Sequence, residues 1–358
     1  MRVRLNDDLD TARHRWQAWF DGTLRQGPIL AVTAPLGRLR EAPLPCTPPG
    51  DVRGLWMDIE YRARAARNGV MATWYGGDAV PTWFVNFGPG SAAGYLGGPL
   101  SFTDHTVWFG EMPDGTLRGI LAALRYDGDN AYWQATLAMT HRALEIAQGD
   151  FCVSCADLGG ELDILASLRG SQNLLLDLLD DPEAVHQCEE RICQLWLQYF
   201  RELTAILSAG QKGFTCWMPC YSDRPWYTLQ CDLSAMFSPE LFERFVLPRL
   251  KAKAAAMDAA IYHWDGPGEL PHLDHIVSVP GIKALEYVSV PADPPNASPH
   301  WLPYYRRVAE AGRGVFLRSA RPDLILELSR QMPAERLAVA VHLRSVAEAK
   351  EFLRQFGR

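Results

Sequence analysis

Eight short β-rich apolar runs, separated for the most part by amphipathic helical segments, punctuate this chain and limit its architecture. They lie at Ile29–Ala34, Thr82–Phe87, Phe151–Asp157, Gly213–Met218, Ala260–Asp265, Ile282–Val288, Gly314–Arg318 and Leu337–Leu343. A helix between two strands carries the chain back over the sheet face, so the strands pair in parallel. Eight such units point to a (β/α)8 TIM barrel, with a doubly wound open sheet as the alternative. Neither G-x-G-x-x-G after the first strand nor G-x-x-x-x-G-K-[ST] occurs, so the usual nucleotide-binding signatures are missing.

The helices announce their ends. Asp181 can cap a helix whose first residue is Pro182, and apolar residues from Val185 to Ile206 recur at spacings of three and four. This predicts a helix from Asp181 to about Ala209, with Gly210 as a left-handed stop. Ser238-Pro239-Glu240 opens another helix, running to about Met257, and Ser298-Pro299 and Arg321-Pro322-Asp323 repeat the device. The last helix is expected from about Ser345 to Phe352. Residues 36–78 and 89–135, rich in Gly, Pro and Trp, read as insertions at the rim. The whole of 1–358 is read as one domain, in which 1–78 is an N-terminal extension that includes the first strand.

Composition narrows the function classes. The net charge of −7 argues against a nucleic-acid partner. No apolar run reaches the roughly 18 residues of a membrane span, and the first residues have no apolar signal core. We therefore expect a cytoplasmic enzyme with a small-molecule substrate, its 8 cysteines reduced rather than paired.

In a barrel the active site lies at the C-terminal strand ends. In Tyr262-His263-Trp264-Asp265-Gly266-Pro267-Gly268, His263 and Asp265 are two apart, so they share one face just before a turn. An imidazole and a carboxylate so placed can share a metal or a proton, or simply orient the loop. Asp157 ends another strand before Gly159-Gly160, and Glu161 and Asp163 either enter the site or cap the next helix. Glu286 in an apolar strand needs a partner or a raised pKa. His342, in the last strand, would complete a two-histidine, one-carboxylate metal set with His263 and Asp265; hydrogen bonding within the core is the alternative. Arg169 and Arg318 are candidates for holding a substrate carboxylate. Trp217, Trp226, Tyr227 and Tyr287 are candidate pocket walls, and His272, three residues before His275, is a candidate substrate contact. Cys216 and Cys220 form a weak zinc signal, since a second cysteine pair is missing.

Several stretches taken together resemble the uroporphyrinogen decarboxylase superfamily: Leu162–Gly170, Leu174–Val185, Ser238–Pro248 and His263-Trp264-Asp265-Gly266. The resemblance spans about residues 150–290 and implies the same barrel. It further implies one of two chemistries, decarboxylation of a porphyrinogen or methyl transfer between a corrinoid and a zinc-activated thiol. The decarboxylase's N-terminal Arg-Gln-Ala-Gly-Arg stretch has no counterpart here. The zinc methyltransferases carry His-x-Cys where this chain has His263 and Asp265, and a further Cys where this chain offers His342. The resemblance thus implies a methyltransferase-like enzyme with a harder ligand set for zinc or another divalent metal, a corrinoid or corrinoid protein as methyl donor or acceptor, and a homodimer. His263, Asp265, Asp157 and Glu286 are its expected catalytic residues. A metal-free decarboxylase or lyase on a small carboxylate is the alternative, and a non-catalytic binding protein the second.

Overall fold

The computed structural model describes residues 4–358. Its strands are β1 (Ile29–Pro35), β2 (Thr73–Gly77), β3 (Thr82–Trp83), β4 (Leu100–Phe102), β5 (Val107–Phe109), β6 (Cys152–Val153), β7 (Trp226–Leu229), β8 (Ala259–Asp265), β9 (Ile282–Val288), β10 (Gly314–Arg318) and β11 (Leu337–His342). Seven of them form one sheet in the order β2-β1-β11-β10-β9-β8-β7. β2 runs antiparallel to β1, and every other pairing in this sheet is parallel. β3 pairs with β6, and β4 with β5. The fold is therefore mixed α/β, with a mostly parallel sheet whose strands are buried along nearly their whole length, as strands covered on both faces must be.

Two of the expected strands shrink and one moves. The runs 82–87 and 151–157 pair only through two residues each. The run 213–218 is not a strand: Phe214 makes a single antiparallel bridge to Ser222, and the neighbour of β8 is instead β7, at Trp226–Leu229. Pro219 follows this run and Pro225 precedes β7, and a proline cannot donate to a ladder, which favours a turn between them. The backbone of Cys155 donates to the carbonyl of Thr215 at 3.0 Å, so the two segments still touch.

The long helix Pro182–Gly210 starts as expected, with the Asp181 carboxylate accepting from the Ala184 amide at 3.2 Å. Its end differs. Gly210 is inside the helix, and a Cβ there would lie 2.7 Å from Leu144 on the helix Ala131–Ala147. The glycine is a close-packing device between two helices rather than a left-handed stop. The segment opened by Ser238 contains one π-helical turn, Phe242–Val246, before Leu247–Ala255.

The N-terminal extension is tied into the body. β1 sits inside the sheet, between β2 and β11. The buried carboxylate of Asp78 accepts from the Leu30 amide at 2.8 Å, Arg15 Nε at 2.8 Å and Arg358 Nη2 at 3.0 Å. One charged group thus joins both ends of the chain to the strand that follows residue 28. Among the described residues no helix is long and apolar enough to cross a membrane.

Candidate functional site

The period-two alternation of β8 places His263 and Asp265 on one face and Trp264 on the other. Trp264 packs against Tyr287 and donates through Nε1 to the Glu269 carbonyl at 2.8 Å. His263 stands opposite Glu286 in the β8–β9 register, and its Nδ1 lies 2.6 Å from Glu286 Oε2. The other Glu286 oxygen accepts from Arg318 Nε on β10. One fully buried carboxylate therefore joins the imidazole to the guanidinium across three adjacent strands. Burial by itself would raise the pKa of Glu286, but the His263 hydrogen bond and the Arg318 charge outweigh it and hold it below the usual range. For His263 burial acts downward, and Glu286 more than reverses it, so the imidazole is more basic than usual.

A fourth strand end supplies a residue that sequence reasoning missed. Asp232 opens the short 3-10 helix Asp232–Met236 after β7, and one ligand atom each of Asp232, His263 and Asp265 lie within 4.8 Å of one another. With Nδ1 taken by Glu286, His263 has Nε2 left for a ligand, and a carboxylate behind the ring is how metal-binding imidazoles are fixed. The signal for Asp232 was its place just beyond a strand, the same logic that selected Asp265. It went unused because Trp226 and Tyr227 were read as pocket walls rather than as strand.

Buried acids set the backbone that carries this group. The Asp163 carboxylate accepts from the amides of Asp232 at 3.1 Å and Leu233 at 3.0 Å, so it caps the neighbouring turn rather than its own helix. Gly160 permits this approach, because a Cβ there would meet the Gln230 carbonyl at 2.3 Å. Glu269 accepts from Ser234 Oγ at 2.8 Å and from the Asp265 amide at 3.1 Å, linking the two acidic ligands' segments. Burial raises the pKa of Glu269 well above the carboxylate range. Asp232 is reached by solvent; loss of surrounding water and then the Asp163 charge push it up to about 7, against the pull of His263. Asp157, buried beyond β6, accepts from the Gly159 amide at 3.0 Å and is pushed up by burial to about 6, although the His263 charge lowers it.

Beside this group opens a cavity of about 420 Å³, whose lining includes Thr33, Tyr75, Trp217, Arg318, Ser319 and His342. Asp232, His263 and Asp265 do not line the cavity themselves; Trp217 and Arg318 connect it to them. The Trp217 ring meets the His263 ring edge-on at 5.1 Å, and the Arg318 guanidinium lies 4.8 Å from the Trp217 ring centre.

Other expected site residues lie elsewhere. His342 lines the cavity but does not join the metal-type group; its Nδ1 is 3.0 Å from Thr33 Oγ1, and Asp232 takes the place expected for it. Trp226 is core, packed on Phe20 and donating to the Phe214 carbonyl at 3.0 Å. The Tyr227 hydroxyl donates to the Ala156 carbonyl at 2.8 Å and accepts from the Leu158 amide at 2.6 Å, bracing the Asp157 loop from behind. Tyr287 points away from Glu286 into a cluster with Trp264, Trp301 and Tyr305. Arg169 pairs with Asp177 at 2.6 Å at the edge of the fold. His272 is buried, stacked on Phe242 and bonded through Nε2 to the Ser234 carbonyl at 2.9 Å. Glu161 forms a buried ion pair with Lys253 at 2.7 Å. Cys216 contacts Thr228 Oγ1 at 3.0 Å, and burial pushes its thiol up to about 12, which leaves little thiolate for a metal. All eight cysteines are free, and seven of them are buried.

The arrangement offers one imidazole and two carboxylates as ligands, a proton-carrying acid nearby, and a half-buried cation at the mouth of an apolar cavity. Compared with known proteins, the chain matches no family model, and no curated protein matches its sequence.

Proposed function

We propose that this chain is a divalent-metal-dependent enzyme that transfers a methyl group from a small methylated substrate, as the resemblance to the uroporphyrinogen decarboxylase superfamily implies. The observation that carries the metal part of this reading is the convergence of Asp232, His263 and Asp265, with Glu286 behind the imidazole. The donor set fits a hard or borderline cation such as Mg²⁺, Mn²⁺, Fe²⁺ or Zn²⁺. It does not fit a thiolate-rich zinc site, because no cysteine belongs to it and the nearby thiols stay protonated.

His263 through Nε2, and Asp232 and Asp265 through one oxygen each, would hold the cation. A bound cation would lower the pKa of a thiol, hydroxyl or water placed on it. Glu286 keeps Nδ1 of His263 occupied and the ring fixed. Asp157 holds a proton at its carboxyl up to a pH of about 6 and can pass it to a leaving group. Trp217, edge-on to the His263 ring, would form an apolar wall beside the reacting atoms. A corrinoid, free or protein-bound, is the proposed methyl partner.

We read the sheet as the larger arc of a (β/α)8 barrel. Supporting this are the β3–β6 pair, the Cys155–Thr215 backbone bond and the 2.7 Å bond from the Asp78 amide to the Leu30 carbonyl, which lie between β1 and β7 in the chain. Placement of the polar residues at the C-terminal strand ends agrees with that reading.

The test is metal content of the purified full chain by elemental mass spectrometry, beside His263→Ala, followed by methyl transfer from methylated thiols, ethers and amines to cob(I)alamin, with methylcobalamin and the demethylated thiol, alcohol or amine as the products. Near-stoichiometric metal, lost in the variant, is expected. Protein that stays metal-free after reconstitution would overturn the metal reading. It would favour a decarboxylase or lyase, a reading to which the Arg318 guanidinium in the cavity lends support.

A further inference from the structure

The cavity has a chemistry of its own. The chain carries a net charge of −7, yet no carboxylate lines this cavity among the described residues. Its one fixed charge is Arg318, and its remaining polar lining is neutral hydroxyls and the His342 imidazole. Most of the wall is apolar or aromatic, from Ala31, Val80, Ala340 and Val341 to Tyr75 and Trp217.

Arg318 is held in place before any ligand arrives. Its Nε donates to Glu286, and the face of its guanidinium packs 4.8 Å from the Trp217 ring centre. The side-chain hydrogen bond of Arg318 uses Nε alone, which leaves the two terminal amino groups for a partner; the side chain is 31% exposed. Two parallel N–H groups on a planar fork match the two oxygens of a carboxylate. Thr33 Oγ1 holds His342 by Nδ1 at 3.0 Å and leaves Nε2 for the same ligand. Ser319, the next residue after Arg318, takes a left-handed backbone (φ 52°), a conformation non-glycine residues seldom adopt and one that recurs at functional sites. The volume, about 420 Å³, is within the range of roughly 300–1,000 Å³ found for small-ligand pockets.

We propose that this cavity is the substrate subsite for a small monocarboxylate with an apolar, flat body, its carboxylate on Arg318 and His342 and its body against Trp217 and Tyr75. The proposal rests on the reading above and names the substrate class for that reaction.

Isothermal titration of the full chain with benzoate, benzamide and acetate tests it. Benzoate should bind at least about tenfold more tightly than benzamide, which lacks the charge, and than acetate, which lacks the apolar body. Arg318→Gln should erase the preference for benzoate over benzamide. Because Arg318 also supports Glu286, Ser319→Asp serves as the second variant: Asp tolerates a positive φ, and its charge beside Arg318 should weaken benzoate while leaving benzamide unchanged. Equal binding of benzoate and benzamide, or a preference that survives both variants, would overturn the subsite. Charge-dependent benzoate binding by a protein without metal or methyl transfer would keep the subsite and remove the methyltransferase reading. Metal-dependent turnover without the benzoate preference would do the reverse.

Discussion

Glu189 offers a sharp test of how burial governs the acids of this fold. It sits on the helix Pro182–Gly210 with 1% of its surface exposed, and neither carboxylate oxygen has a hydrogen-bond partner. The His186 imidazole lies 3.4 Å away, an ion-pair contact without hydrogen-bond geometry. Arg249 and the Glu161–Lys253 pair face the same small void. Burial dominates and pushes the carboxyl from 4.5 up to about 7. Below pH 4.5 the group is protonated whether the chain is folded or unfolded, so it contributes no pH dependence. Between 4.5 and 7 the folded chain keeps a proton that the unfolded chain has released, so stability falls as pH rises. Above 7 the charged form is buried, at a cost of about 3 kcal/mol, from about 1.4 kcal/mol per pKa unit. Glu189→Gln removes the titration while keeping the shape. The measurement is urea unfolding of both proteins at pH 5, 6, 7 and 8. The stability of Glu189→Gln relative to the parent should rise by roughly 2–3 kcal/mol across this window, whatever constant offset the buried amide introduces. Parallel stability curves would refute the reasoning, since they would mean that the carboxyl titrates as if in water.

Four further outcomes follow from the geometry. Asp232→Asn should lower metal occupancy as severely as His263→Ala, whereas His342→Ala should retain the metal; elemental analysis of the dialysed variants separates the two histidines. Glu286→Gln should weaken metal affinity about 10- to 100-fold by freeing the His263 ring, read by competition with a fluorescent chelator. Gly210→Ala, which in an open helix would stabilise by up to about 1 kcal/mol, should here destabilise by about 1–3 kcal/mol because the new methyl meets Leu144, seen as a lower urea midpoint. Asp163→Ala leaves the Asp232 and Leu233 amides without their acceptor and should cost about 1–3 kcal/mol, with faster amide hydrogen exchange at residues 232–236.

Local features of the chain were legible because their causes are local. Asp181-Pro182 starts its helix through one carboxylate and one ring, both within four residues. His263 and Asp265 share a face because a strand repeats every two residues, whatever it packs against. The need of Glu286 for a partner followed from a charge in an apolar run, and the His263 imidazole and the Arg318 guanidinium beside it meet that need.

Convergence was not legible, because it depends on strand order and loop closure. Asp232 and His263 are 31 residues apart, and they meet only because β7 lies next to β8 and Asp163 fixes the turn between. His342 has the right type and the right strand end, but β11 lies three strands from β8, and that distance makes it a cavity residue. Trp226, Tyr227 and Tyr287 are as aromatic as Trp217; burial of the largest side chains in the core took those three, while Trp217, on the segment between β6 and β7, lines the cavity. The residue types and their local spacing came from the chain itself. Which of those residues touch was decided when the sheet brought distant strand ends together, since contact between them depends on the three-dimensional order of the strands and not on any spacing along the sequence.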